Sequence, residues 1–340
     1  MTRHAIIGCG RVAANHVDGF GRVDGWQVTT ACDRTDDVHA FARAHGIPRA
    51  TQDVGEVLAD AAVTSVSVAV DHATHATIVE AALGAGKHVL VEKPFGLDPA
   101  RARQLAGLAA AQGLTLSVVS QHRYDPVVLA VRDWLARGLL GEVVCVTASL
   151  QAHREPEYYT GSYWRGTLRG EGGSALVNQG YHCLDTVRWL VGDLTVRSAS
   201  WRTVALGDVI ETEDTISALL ATTGGAPVTL SVTVASPTQW CTRIEVVGTA
   251  GSVAFDIDHP GRLLRWEGPP ALDAEATAES RRSLDADPPG PAYYGVSHRR
   301  QIADFCDAVA TGRSMLFTPT ESLGTLETIT ALYAHAGGAR

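Results

Sequence analysis

Lysine is almost absent from this chain. Its 340 residues include two lysines, Lys87 and Lys93, against 26 arginines. Arginine keeps its proton in proteins, whereas a buried lysine shifts its pKa and can move a proton. A lysine retained in so arginine-biased a chain is therefore a candidate for chemistry. Positive charge is scarce overall: 28 basic against 37 acidic residues, net −9. No phosphate-backbone footprint follows, and nucleic acid is not an expected partner. No run approaches the ~18 apolar residues of a membrane helix, so no membrane partner is expected. The strand-like run from His4 to Gly8 follows no signal-peptide layout. The six cysteines lie far apart without a CxxC, and read as reduced thiols of a cytoplasmic protein. They suggest neither a disulfide frame nor a zinc knuckle, and no metal site is expected. G-x-S-x-G and H-E-x-x-H are missing as well. What remains is a soluble globular composition, long enough for two domains without covalent staples.

Short apolar runs alternate with amphipathic stretches. Ala5-Ile6-Ile7 precedes Gly8-Cys9-Gly10-Arg11-Val12-Ala13 and a helical pattern to about Gly21. Residues 28–32, 63–70, 88–91 and 114–119 read as strands; 38–45, 74–85 and 99–112 read as helices. This alternation predicts βαβ units and a parallel sheet. The first turn is G-x-G-x-x-A between a strand and a helix. Gly8 makes the tight turn, Gly10 lets backbone approach a pyrophosphate, and Ala13 packs helix on sheet. The phosphates then meet free N–H groups at a helix amino terminus. Asp33, 20 residues beyond Ala13, takes the ribose position. Its carboxylate accepts from ribose hydroxyls and repels a 2′-phosphate, which predicts NAD over NADP. Arg34 follows directly and could instead meet that phosphate or stack on adenine.

Gly86-Lys87-His88-Val89-Leu90-Val91-Glu92-Lys93-Pro94 is a strand running into proline. Lys93 thus lies past a carboxyl strand end, where open α/β sheets bind ligands. The segment resembles the E-K-P signature of the Gfo/Idh/MocA oxidoreductases, the glucose–fructose oxidoreductase and inositol dehydrogenase group. That resemblance implies that Lys93 stands beside nicotinamide and the reacting carbon, while Lys87 matches a structural G-K-H. It covers essentially the whole chain. Gln121-His122-Arg123-Tyr124-Asp125-Pro126 resembles the segment leaving the nucleotide domain, with Gln121 approaching nicotinamide. Tyr158-Tyr159 and Trp164-Arg165-Gly166-Thr167 resemble a substrate loop of sugar-handling members. Gly172 to Asp185 resembles the G-G-x-x-x-[DN]-x-x-x-H-x-x-D helix, and His298 to Phe305 the H-x-x-Q-x-x-D-F helix on the substrate side. By this resemblance cofactor contacts fall on Gly8, Cys9, Gly10, Arg11, Val12, Asp33, Arg34, Val70, Asp71, His75, Glu92, Lys93, Gln121, Trp164 and Arg165. Two departures stand out. Val70-Asp71-His72-Ala73-Thr74-His75 keeps the His of the usual T-P-N-x-x-H but loses Thr-Pro. Asn178 stands where many inositol-dehydrogenase-like members have Asp, and an amide cannot take a proton.

Asn178, His182 and Asp185 lie at i, i+4 and i+7, one face of a helix. Oxidising a secondary alcohol requires a base within reach of the hydroxyl proton, and His182 is the natural carrier. Lys93 would hold the same oxygen and stabilise negative charge on it. Asp185 would orient His182 or bind a substrate hydroxyl. Arg165, Tyr159 and His298 are further expected substrate contacts.

From Glu142 onward strand-like runs dominate (143–150, 195–204, 215–221, 228–234, 243–247, 252–256), interrupted by a helix over 174–191. The expected fold is α/β: a Rossmann dinucleotide-binding domain, residues 1–122, then an α+β domain, residues 123–340, with a large, mostly antiparallel open sheet. The resemblance implies a homodimer or homotetramer built on the sheet's free face. Proline-rich 269–291 reads as a long loop leading to Tyr293-Tyr294 and His298. The expected activity is NAD(P)-dependent oxidoreduction of a sugar or cyclitol, the substrate nucleotide- or phosphate-linked in one version. Two rival readings stay open. One is a nucleotide-sugar ketoreductase, with Arg165 or Arg169 meeting a diphosphate. The other is a non-catalytic dinucleotide-sensing regulator.

Overall fold

Six parallel strands carry the amino-terminal part of the chain in a computed structural model, which describes residues 1–258, 261–284 and 296–337. In chain order the elements are β1 (Thr2–Ile7), α1 (Ala13–Gly21), β2 (Trp26–Cys32), α2 (Asp37–Ala44), β3 (Arg49–Thr51), α3 (Val54–Ala59), β4 (Val63–Val68), α4 (His72–Gly84), β5 (His88–Val91), α5 (Pro99–Ala111) and β6 (Leu116–Val118). The strand order is β3-β2-β1-β4-β5-β6. It reverses direction between β1 and β4, and there doubly wound sheets open a ligand crevice. Strands buried on both faces need apolar side chains throughout. β4 breaks that rule with Ser65 and Ser67, whose hydroxyls are taken by the buried imidazole of His4 at 2.8 and 2.9 Å.

By packing, Met1–Gln121 and Pro288–Leu323 form one unit, and His122–Asp287 with Gly324–Arg340 the other. The sequence reading instead assigns everything past residue 122 to the second domain. The difference lies in α10 (Val296–Thr311), which packs on α1. Ile302 and Phe305 join the core of Phe20 and Trp26. Gly19 makes room for Ile302, whose Cδ1 would lie 2.3 Å from an added Cβ. Gln301 ties α10 to β6, accepting from Ser120 N at 3.0 Å and donating to Val118 O at 2.8 Å. A one-dimensional reading cannot see a helix return to an earlier domain.

Lys87 is scaffold. It is 5% exposed, and its ammonium donates to the carbonyls of Asp60 and Val63 at 2.8 and 2.7 Å. Lys87→Met removes both bonds and is expected to cost about 1–2 kcal/mol, a fall in Tm of roughly 2–8 °C. Thermal unfolding reads this, and kcat at 25 °C should stay within about twofold of the parent.

The other unit contains α6 (Pro126–Ala136), β7 (Val143–His153), the single turn α7 (Glu157–Thr160), a π-helical turn (Ala175–Gly180), α8 (Tyr181–Val191), β8 (Leu194–Arg202), β9 (Thr215–Thr222), β10 (Pro227–Thr233), β11 (Ala235–Gly248), β12 (Ser252–Phe255), β13 (Leu263–Glu267) and α9 (Pro270–Leu284). Helix α11 (Pro319–His335) ends the described chain. The sheet order is β13-β12-β11-β7-β10-β9-β8, antiparallel except where β10 meets β7. One face packs α8 on β7 and β11, and the π-turn on β9 and β10. The other presents Thr147, Ser149, Ser198, Ser200, Ser217 and Ser231 in a shallow depression.

Most of the expected loop over 269–291 is helix α9. Its prolines stand at the start, where a missing N–H costs nothing, and the body is Ala-, Glu- and Arg-rich. Trp134 of α6 and Arg137 just past its end fasten it through Glu275. Tyr293-Tyr294 lie outside the described residues.

Candidate active site

The Gly-rich turn follows β1. Gly8 has φ +97°, and a Cβ there would sit 2.4 Å from the Ala69 carbonyl oxygen at the end of β4. Only glycine permits that approach. A Cβ on Gly10 would meet nothing within 4 Å, so the turn is open where backbone must meet a pyrophosphate. Asp33, just past β2, accepts from Cys9 N at 2.8 Å and Thr35 N at 3.1 Å, which sets its carboxylate beside the turn. Arg11 and Arg34 are exposed nearby in sequence. These residues fit a dinucleotide with a free ribose 2′-hydroxyl.

Asp71 caps α4, accepting from Thr74 N at 3.0 Å and Thr74 Oγ1 at 2.7 Å. His75 is fully buried between Val70 O (3.1 Å) and Pro94 O (2.8 Å), and so ties the β4–α4 loop to the segment after β5. Burial pushes its pKa down, against the pull of these two carbonyls.

Lys93 stands at the carboxyl end of β5, 7% exposed, with a cis peptide to Pro94. Glu92 turns its carboxylate inward. Oε1 faces His16 Nε2 at 3.0 Å and His298 Nε2 at 3.4 Å, and Oε2 accepts from Lys93 N at 3.2 Å. Burial alone would raise the Glu92 carboxyl, but the two histidines outweigh it and hold it well below the usual carboxylate range. The network continues inward: His16 Nδ1 meets Ser67 Oγ at 2.8 Å, which meets His4 Nε2 at 2.9 Å, and His4 Nδ1 meets Ser65 Oγ at 2.8 Å. With each imidazole singly protonated, a carboxylate at one end fixes every direction. Ser65 donates to His4, His4 to Ser67, Ser67 to His16, and His16 to Glu92. Burial pushes the His4 pKa well down, in keeping with a neutral ring. Three donor atoms, from His16, Glu92 and His298, lie within 4.8 Å of one another, and imidazole–carboxylate hydrogen bonding accounts for that closeness.

In the other unit Asn178, His182 and Asp185 do not share one regular helix. Asn178 lies in the π-turn and His182 opens α8. The turn is started by Glu213, a buried carboxylate that accepts from Leu176 N at 2.9 Å, Ser174 N at 3.3 Å and Tyr333 Oη–H at 2.8 Å. Burial pushes its pKa up. A π-turn widens the helix by one residue per turn, so sequence spacing misplaces its side chains.

Asn178 donates to Glu171 Oε1 at 2.5 Å and to Tyr158 Oη at 3.3 Å. His182, 8% exposed, sets its ring edge-on to His122, centroids 5.1 Å apart. His122 Nδ1 in turn meets Asp125 Oδ2 at 2.7 Å. Asp185 faces inward: Arg123 binds it through Nε at 2.8 Å and Nη2 at 2.6 Å, and Thr325 Oγ1 donates at 2.7 Å. Its oxygens anchor α8. The orienting part expected of it is not seen in its contacts. Tyr159 is likewise buried, accepting from Ser174 Oγ at 3.2 Å. Arg165 stacks over Tyr158 and Trp164, at 4.5 and 5.0 Å from their ring centroids.

A family profile described as an oxidoreductase family with an NAD-binding Rossmann fold matches residues 2–120, and one described as the GFO/IDH/MocA C-terminal domain matches residues 128–254. The chain belongs to the Gfo/Idh/MocA oxidoreductase family. Among curated Gfo/Idh/MocA relatives, it is 27% identical to D-apiose dehydrogenase of Paraburkholderia graminis, over 75% of this chain and 68% of that one. It is 29% identical to inositol 2-dehydrogenase of Rhizobium meliloti, over 76% of each. The WlbA dehydrogenase of Bordetella pertussis, solved with NADH and UDP-GlcNAcA, superposes with TM-score 0.89 at 25% identity, covering 99% of this chain and 95% of that one. The first unit is therefore an NAD-binding domain of a Gfo/Idh/MocA oxidoreductase acting on CH–OH groups.

Sequence reasoning missed His16, Glu171, Arg123 and Asp125 as parts of this machinery. For Arg123 and Asp125 there was a signal: both lie in the segment singled out after Gln121. Glu171 sits directly before the Gly-Gly entrance, and nothing local marks it.

Proposed function

We propose that this protein interconverts a secondary alcohol and a ketone on a sugar or cyclitol ring, with NAD as hydride acceptor or donor. The observation that carries the reading is the polar set around Asn178, which donates to Tyr158 and Glu171 beside Gln179 and two arginines on Tyr158, with His182 following at the start of α8. Such a set offers hydrogen bonds to many hydroxyls and little apolar surface. NAD, when bound at the Gly8–Asp33 turn, supplies the hydride chemistry. His182 carries the hydroxyl proton away on oxidation and returns it on reduction. Lys93 donates a hydrogen bond to the oxygen as negative charge grows there. Asn178 holds a hydroxyl or carbonyl without taking a proton.

Purified protein incubated with NAD and a panel of aldoses, inositols and nucleotide sugars should generate NADH with at least one. Failure with every member, alongside tight NAD binding and a co-purifying protein, favours the dinucleotide-sensing regulator. A nucleotide-sugar substrate is the second reading, favoured by the UDP-GlcNAcA bound to the WlbA dehydrogenase.

Asp33 supports NAD over NADP. A phosphate charge ~4 Å from its carboxylate costs about 4 kcal/mol at an effective dielectric of ~20. We expect kcat/KM to favour NAD by at least about 10²-fold, and Asp33→Ser to narrow that ratio by about 10-fold or more. A parent enzyme that favours NADP would overturn this.

We also place the protein in the cytoplasm, which its six free thiols support. No described helix is long and apolar enough to cross a membrane. The hydroxyl-lined face of the seven-stranded sheet, with Leu219 exposed on it, supports a homodimer or homotetramer.

A further inference from the structure

Many arginines in this protein are neutralised. Arg22, Arg49, Arg101, Arg137, Arg265 and Arg313, all on the surface, each pair with a carboxylate. Arg154 and Arg165 do not: among the described residues neither makes an ion pair, although both are half-buried. Their guanidinium carbons lie 5.1 and 4.5 Å from the ring centroid of the same residue, Tyr158. Arg154 also faces Trp240 at 5.2 Å, and Arg165 faces Trp164 at 5.0 Å. The Nε of each is buried with no hydrogen-bond partner among the described residues. Arg154 otherwise donates to Gln179 Oε1 at 2.9 Å and His153 O at 3.0 Å, both neutral acceptors.

Acids are present nearby but engaged elsewhere. Glu155 pairs with His153 at 2.9 Å. Glu171 accepts from Gly166 N and from Asn178, each at 2.5 Å. Aromatic stacking thus holds two cationic forks in place, partly dehydrated and without a counter-ion. Such an arrangement is costly unless an anion completes it. It also adjoins the substrate helix directly, because the Tyr158 hydroxyl accepts from Asn178 Nδ2 at 3.3 Å and Gln179 Nε2 at 3.0 Å.

We infer that the substrate is anionic: Arg154 and Arg165 form a subsite for a carboxylate or phosphate group carried by the sugar. This deepens the proposed function and rests on it. A planar guanidinium matches both anions with two parallel N–H bonds, so a uronic acid and a sugar diphosphate share the recognition chemistry. A neutral inositol or aldose leaves both charges unanswered.

Isothermal titration of the full-length protein, preloaded with NADH, tests the inference with two matched pairs: glucuronate against glucose, and UDP-glucose against glucose. In at least one pair the anionic member should bind about 10-fold or more tightly, and its advantage should shrink as salt rises from ~50 to ~300 mM. Preference for glucuronate assigns the carboxylate; preference confined to UDP-glucose assigns the diphosphate. UDP-glucose with Arg154→Gln and Arg165→Gln separates the arginines from uridine contacts. Each variant should lose at least about 10-fold in affinity for the preferred anion, several-fold more than it loses for glucose. Thermal unfolding and far-UV circular dichroism report whether each variant is folded, and Arg165→Lys, keeping charge but not the fork, should recover only part. Equal binding of neutral and anionic members, binding of neither, or variants that bind the anion as tightly as the parent overturns the inference. Turnover of a neutral polyol by the parent with kcat/KM equal to or above that of its anionic counterpart also overturns it, yet leaves the oxidoreductase reading intact. Loss of NADH binding by the parent protein would sink that reading instead.

Discussion

Lys93→Arg is expected to lower kcat by about 10²- to 10³-fold while leaving NAD affinity within a few-fold of the parent. Charge is conserved in this substitution, so the loss tests shape and proton chemistry, not electrostatics alone. Lys93 is 7% exposed at the end of β5, where Glu92 is locked by two histidines and Pro94 is tied to His75. A compact ammonium on a flexible stem can turn one of three donors toward a reacting oxygen. A guanidinium is planar and larger, and in this fixed segment it cannot take the same place. Steady-state kinetics with NAD titrated by fluorescence quenching checks it. An arginine variant retaining more than about a tenth of kcat would exclude Lys93 from the chemistry. Lys87→Met should show the converse pattern, reduced Tm with ordinary turnover. The two lysines of one short strand segment then separate cleanly into scaffold and chemistry.

The other large effect is expected at His182. Its replacement by alanine removes the proposed proton carrier, and general acid–base catalysis contributes about 10²- to 10⁴-fold. We expect kcat/KM to fall within that range in either direction of the reaction, with NADH affinity unchanged. Added imidazole should restore part of the rate, since the ring's departure leaves space beside His122 and Tyr181. Rescue separates loss of a proton carrier from loss of structure: a merely structural histidine would show reduced stability and no imidazole dependence. Full activity in His182→Ala would move the proton transfer to another group.

The nucleotide half was legible in detail. G-x-G-x-x-A, Asp33 and the strand end at Lys93 are local signals, because each records a backbone demand at one place in the chain. Gly8 illustrates this: its positive φ and its contact with Ala69 leave no room for any other residue. Motif spacing also picked out Asn178, His182 and Asp185. It misjudged what Asp185 does, since the residue that claims a buried carboxylate is chosen by packing. Here that residue is Arg123, 62 positions away. Likewise Glu92 carries its own signal in the E-K-P segment, but its partners His16 and His298 lie 76 and 206 positions away.

The sequence by itself determined the parallel nucleotide fold, the antiparallel second sheet, the family, the cofactor and the scarcity of lysine that drew attention to Lys93. These follow from periodicity, from glycine geometry and from residue chemistry, all of which act over a few positions. Only the tertiary structure decided that α10 returns to the nucleotide unit, that a π-turn displaces Asn178 from a regular helical face, and that Arg154 and Arg165 share one tyrosine ring without a counter-charge. Those outcomes depend on which distant side chains compete for the same buried space and the same protons, and such competition is settled only when the chain is packed.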